Sequence, residues 1–190
     1  MDLITDVSAT DYLGLPVNGI GGGGLLEGSP WQGGLYVSAL FLLIVSGTVG
    51  NILLIGAYFS KKGLSVVGAE FILNLAVADL MIAAVALPMC LVGAVQGGDY
   101  FDARPVLCEL IGLLCLMGCV GALLSILAIS VNRLVFVCFN DMHGAIYKPV
   151  YVWMMVVGIW GIAFVIDMPH FVALQNGKYG FISFKFFYTR

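Results

Sequence analysis

Four polar residues, Asn51, Asn74, Asp79 and Asp167, stand inside long apolar stretches where water is scarce. A charged side chain at bilayer depth costs about 3 kcal/mol on insertion scales, so such groups face a protein interior or a wet cavity. Asn51 and Asp79 fall at similar depths of successive apolar stretches, where an amide and a carboxylate can hydrogen-bond across adjacent helices. One reading makes this pair interhelical glue, worth about 0.6 to 2 kcal/mol per contact. A second places Asp79 in a water-filled core where a cation or proton biases two arrangements of the helices. Both stay open on residue type alone. Glu70 reads as a snorkelling charge at a helix end, and Asp167, just before Pro169 and His170, as a carboxylate solvated at the membrane surface.

Catalysis is a poor fit. The only histidines, His143 and His170, flank one apolar stretch at opposite ends, so no base, nucleophile or metal set converges. Cys90, Cys108, Cys115, Cys119 and Cys138 lack the C-x-x-C pairing of zinc and redox sites. Cys115 and Cys119 share a helical face, but small buried thiols packed against neighbours are commoner than ligands at that spacing. Cys138, near one membrane surface, is an acylation candidate whose plainer reading is an interfacial cysteine. No cofactor, and no metal built from cysteine or histidine, is expected.

The elements that position these residues are membrane spans. The chain is 61% hydrophobic and 10% charged with a mean hydropathy of +1.06, whereas a soluble domain needs about 25% charged residues. Crossing a hydrocarbon core takes about 20 apolar residues, and four stretches reach that length, near 35–59, 69–93, 106–138 and 150–174. The fold expected is an all-α membrane protein of four transmembrane helices, with an extracellular tail at 1–34 and a loop beginning at 175–190. The tail is flexible, with its Gly21 to Gly24 run. It carries four acidic residues and no lysine or arginine, the wrong charge for a cleaved signal peptide, so the first helix is expected to act as an uncleaved anchor. Lys61 and Lys62 follow the first span, which by the positive-inside rule puts the amino terminus outside and Arg133 and Lys148 inside. Lys178, Lys185 and Arg190 dilute that bias. A net charge of −3 without a basic cluster argues against nucleic acid as a partner.

Several features now coincide in order. Gly50-Asn51 lies in the first span, Leu75-Ala76-Val77-Ala78-Asp79-Leu80 in the second, Cys108 and Asn132-Arg133 at the two ends of the third, and Trp160 followed by Pro169 in the fourth. About 37 Å of helix separates Cys108 from Arg133, enough to cross the membrane once. The constellation resembles the rhodopsin-like (class A) G-protein-coupled receptors. Ala128-Ile129-Ser130-Val131-Asn132-Arg133, with Asn where most members have Asp, and the Trp160 to Pro169 spacing are similar to the melatonin-receptor-like branch, although Leu134 replaces its usual tyrosine.

The resemblance implies the first four helices of a seven-helix bundle in the plasma membrane. An outward pocket binds an extracellular small molecule, and Arg133 at the inner mouth helps contact a heterotrimeric G protein, with binding acting by population shift. In most relatives the acidic residue before the arginine forms a charged pair favouring the inactive state; Asn132 carries no charge, so that restraint is expected to be weaker. Asn51, Asn74, Asp79 and Trp160 are the implied interhelical polar core. Cys108 is implied to form a disulfide with the second extracellular loop, yet no cysteine follows Cys138, and Cys90 is only a substitute partner. The implied ligand-facing positions are Cys115, Leu116 and Cys119; a cationic monoamine would call for a carboxylate at Cys115, so a neutral or lipophilic ligand is favoured. A serine that helps hold sodium beside the second-helix aspartate is replaced by Ala122, with Ser125 three residues further inward, which argues against sodium at Asp79.

Two alternatives compete with a signalling receptor. A truncated, non-signalling receptor fragment would keep the motifs without the remaining helices. A four-span scaffold satisfies the backbone constraints of a bilayer but does not explain Asn51, Asp79, Arg133 and Trp160 together. The small residues Gly112, Gly118, Gly121 and Ala122 offer a surface for association in a receptor oligomer, or for packing within one bundle.

Overall fold

The computed structural model describes residues 30–60, 68–96, 100 and 103–175. Five helices are described: α1, Pro30–Phe59; α2, Ala69–Gln96; α3, Pro105–Cys138; α4, Asn140–Ile146; and α5, Pro149–Gln175. Four of them are long and apolar enough to cross a membrane, and no strand occurs among the described residues. The Gly21 to Gly24 run, Lys61, Lys62 and the 176–190 stretch lie outside the described residues.

α1 begins at Pro30, inside the stretch expected to be tail, and α2 runs on to Gln96. Pro105 and Pro149 each open a helix, where the missing N–H is one that would have had no intrahelical partner. The link expected between the third and fourth spans contains α4, set off from α3 by Phe139 at φ −135° and ψ 48°.

The serines of α1, and Ser60 just past its end, satisfy themselves. Ser38, Ser46 and Ser60 donate to the carbonyls of Gly34, Leu42 and Gly56 at 2.7, 2.6 and 2.6 Å. Such back-bonding lets a hydroxyl survive in lipid without a neighbouring helix. The outward faces carry large apolar side chains, among them Leu42, Leu53, Val157 and Val165. In water these would form aggregation-prone patches; in a bilayer they meet acyl chains.

α2 is the hub, packing against α1, α3 and α5. Its middle, Ile82–Ala86, is a π-helical segment, in which the Leu87 N–H reaches back five residues to Ile82 O. Pro88 explains it: the ring cannot donate and crowds the carbonyl of the preceding turn, and one extra residue in that turn relieves the clash. The same segment takes the closest helix approaches. A Cβ at Gly118 of α3 would lie 2.9 Å from Ile82 Cγ1 and 3.3 Å from the Ala78 carbonyl, so only glycine lets α3 come this near. Gly112, Gly118 and Gly121 are all buried, so these residues of the small-residue surface serve packing inside the chain.

The apolar core sits in the half nearer Arg133: Phe71, Tyr147, Val152, Val156 and Ile159, flanked by Leu124, Ile129 and Trp160. Phe71 is fully buried and meets the Tyr147 ring edge-on at 6.4 Å, which ties the start of α2 to the loop before α5.

Candidate functional site

At mid-bundle, one amide joins three helices. Trp160 Nε1 of α5 donates to Asn74 Oδ1 at 2.7 Å, Asn74 Nδ2 of α2 donates to Ser125 Oγ of α3 at 2.8 Å, and the Ser125 hydroxyl donates to Gly121 O at 2.6 Å. Indole can only donate, an amide offers one acceptor and two donor positions, and a hydroxyl does both, so the protons run in one direction. Asn74 and Ser125 are buried, which makes each lost bond expensive. Ser125, weighed in the sequence only as a sodium ligand, is committed to this knot.

Asn51 and Asp79 do not hydrogen-bond to each other. Asn51 Nδ2 donates 2.8 Å to Gly47 O in its own helix, the same back-bonding that α1 uses for its serines. Asp79 is part-exposed on α2, just before the π-helical segment, and takes no hydrogen bond among the described residues. No group of three His, Cys, Asp or Glu able to hold a metal occurs among the described residues.

At the end of the bundle that carries Arg133, neighbouring residues diverge. Asn132 is buried and Arg133 exposed, as one step of about 100° around a helix allows. Asn132 Oδ1 lies 2.9 Å from His143 Nε2 of α4. The His143 ring is itself buried, stacked on Tyr147 at 4.9 Å and edge-on to Phe136 at 5.1 Å. Gly68 closes the other side of Asn132: its φ of +91° suits glycine, and a Cβ there would fall on the Asn132 amide. Burial pushes the Tyr147 phenol above its ordinary range, so it stays protonated. His143 and Gly68 carried no signal in the sequence, because their roles depend on α4 folding back and on a backbone torsion.

Toward the opposite end, Cys115 and Leu116 are half-buried and Cys119 is exposed. These side chains are neutral, with Cys115 near Cys119 and near Cys90 of α2. Cys90 also lies in the vicinity of Cys108. Asp167, expected to be solvated, is only 3% exposed: α5 continues through Pro169 and turns the carboxylate inward. The side chain of His170 lies outside the described residues.

Residues 50–181 match the sequence profile of the 7 transmembrane receptors (rhodopsin family). The chain belongs to that family. It is 30% identical over 149 residues to melatonin receptor type 1A of Ovis aries, covering 78% of this chain and 40% of the relative. Melatonin receptor type 1C of Xenopus laevis is 27% identical over 132 residues, covering 70% and 31%, and the G-protein coupled receptor moody of Drosophila melanogaster 31% over 144 residues, covering 75% and 21%. The chain thus spans less than half the length of these relatives, within a receptor family of melatonin-receptor-like type. It is a multi-pass membrane protein of a receptor rather than an enzyme class, and the scaffold alternative is not favoured.

Proposed function

We propose that this chain forms the first four helices of a plasma-membrane receptor, amino terminus outside, that transmits binding of a small extracellular molecule to a heterotrimeric G protein. The observation that carries the reading is the contrast at the Arg133 end of α3: Asn132 is buried and bonded to α4, while Arg133 beside it is exposed. A guanidinium offers five donors in a planar fork suited to carbonyl and carboxylate oxygens of a protein surface.

At the other end, Cys115, Leu116 and Cys119 offer no charge to an ammonium, which supports a neutral or lipophilic ligand. Melatonin, in the names of two relatives, is the first probe. Cys108 is proposed to pair with a cysteine of the second extracellular loop in the complete receptor. Asp79 is proposed to face the remaining helices, with sodium disfavoured because Ala122 lacks a hydroxyl and Ser125 is held by Asn74. Association with a second receptor would have to use surfaces other than Gly112, Gly118 and Gly121.

The test is reconstitution of the complete receptor in nanodiscs with a panel of Gα subunits, measuring nucleotide exchange with and without melatonin and other neutral ligands. Exchange above the receptor-free level is expected. Exchange no higher than in empty nanodiscs for every Gα would sink the reading.

A further inference from the structure

The π-helical segment of α2 decides which residues beyond it face the bundle. On the Asn74 side of that segment, α2 presents Ala78 and Ile82 to α3. A Cβ built on Gly121 would lie 3.7 Å from the Ala78 Cβ, and one on Gly118 would lie 2.9 Å from Ile82 Cγ1. At about 100° per residue, an unbroken α-helix would carry that direction to Val85 and Met89, each within about 20° of Ala78. It would leave Ala86 about 80° and Cys90 about 120° away.

The structure holds the other register: Ala86 is fully buried, whereas Val85 is 42% exposed. The cause is Ile82–Ala86, where the Leu87 N–H reaches Ile82 O and one extra residue is taken up ahead of Pro88. Positions beyond the segment are set back by about 100°, so Ala86 and Cys90, one turn apart on a common face, come to the side that Ala78 presents. Close contacts seat the turn on both flanks. On α1, a Cβ at Gly47 would lie 2.9 Å from the Ala83 Cβ, and α3 makes the equivalent approach through Gly118 to Ile82.

Cys90 has the neighbours that this register predicts. It lies near Cys108 and Cys115 of α3 and near Tyr36 of α1. Cys108 and Cys115 stand two turns apart on one face of α3, and Cys119 follows one turn further along.

We propose that Pro88, through the π-helical turn it imposes, aims Cys90 at Cys115 and so adds Cys90 to the ligand-facing residues, making a wall of thiols drawn from two helices. The ligand-facing role rests on the reading of Cys115, Leu116 and Cys119 given above; the register of α2 does not. Such a wall offers soft, polarizable and uncharged sulfur contacts to a neutral ligand. Pro88 is a positioning residue, acting through the turn and not by contact.

The experiment has two arms. In the first, the chain carrying Cys108→Ser, Cys119→Ser and Cys138→Ser is held in nanodiscs and treated with a short bifunctional methanethiosulfonate, and linkage to Cys115 is read by peptide mass spectrometry. Cys90 should link at least about fivefold faster than the thiol of Met89→Cys in a Cys90→Ala background. Pro88→Ala, which restores the missing N–H, should reverse that order. Linkage from position 89 as fast as from position 90 overturns the proposal whether or not Pro88→Ala folds, and so does an unchanged order in folded Pro88→Ala.

The second arm applies a charged, membrane-impermeant methanethiosulfonate to the outer side of the complete receptor. Cys90 should be modified, and the thiol of Met89→Cys in a Cys90→Ala background should resist. An unmodified Cys90 overturns its ligand-facing role even where its linkage to Cys115 stands. Neither arm depends on coupling to a G protein, so failure of the receptor reading would be seen separately.

Discussion

His143 of α4 donates through Nε2 to Oδ1 of Asn132 across 2.9 Å, and with the Phe136–His143 ring contact this bond fastens the loop helix to the end of α3 that carries Arg133. In most of the rhodopsin-like family an acidic residue stands where Asn132 does, and its charge restrains the neighbouring arginine. The amide here keeps the hydrogen bond to the loop but offers Arg133 no ionic hold.

Asn132→Asp in the complete receptor should therefore lower agonist-free G-protein activation, by about fivefold if the restored pair is worth about 1 kcal/mol. Nucleotide exchange in membranes without ligand reads this directly. Unchanged or increased basal exchange would count against the assignment of Asn132 as a weakened restraint.

Gly68→Ala should destabilise the bundle by about 2 kcal/mol or more. The positive φ alone costs a Cβ-bearing residue about 1 to 2 kcal/mol, and the added carbon would displace the Asn132 amide from beneath α4. Loss of helicity in a denaturing detergent titration measures the cost. A variant within about 0.5 kcal/mol of wild type would mean that the chain reaches α2 by another path.

Trp160→Phe keeps an aromatic side chain but removes the indole donor, leaving Asn74 Oδ1 without its partner, together with the outer ring carbons that approach Gly121. A loss of about 1 kcal/mol is expected, against about 2 kcal/mol for Asn74→Ala, which breaks both interhelical bonds. The double variant should cost less than the two together by at least about 0.5 kcal/mol. Strict additivity would contradict a shared knot.

Alkali should loosen the same region through Tyr147. Its phenol ionises above the ordinary value when folded, so the unfolded chain loses that proton first. Stability must fall as pH rises from about 10 through the folded value, and is unaffected well below about pH 10. Tyr147→Phe should remove that part of the decline in melting temperature between about pH 9 and pH 11. An alkaline decline identical to that of the wild type would show that Tyr147 is not held as described.

The spans were legible because about 20 apolar residues in a row have one physical use, and family kinship was legible because Asn51, Asp79, Cys108, Arg133 and Trp160 fall in order on those spans. Partnership was less so. Asn74, Ser125 and Trp160 meet because three helices bring them to one depth, and the same argument applied to Asn51 and Asp79 pairs residues that do not bond, because an asparagine can satisfy itself on its own helix. The π-helical turn before Pro88 and the short α4 have weak local signals. Both are settled by packing, as is the burial of Asp167.

The most direct test of a coupling face at the inner end of α3 is agonist-free nucleotide exchange on Gα, driven by the complete receptor and by its Arg133→Ala variant at matched surface expression. Wild-type exchange should stand above that of receptor-free membranes, and the variant should lose nearly all of the excess, about tenfold or more. Full exchange from Arg133→Ala would contradict the account.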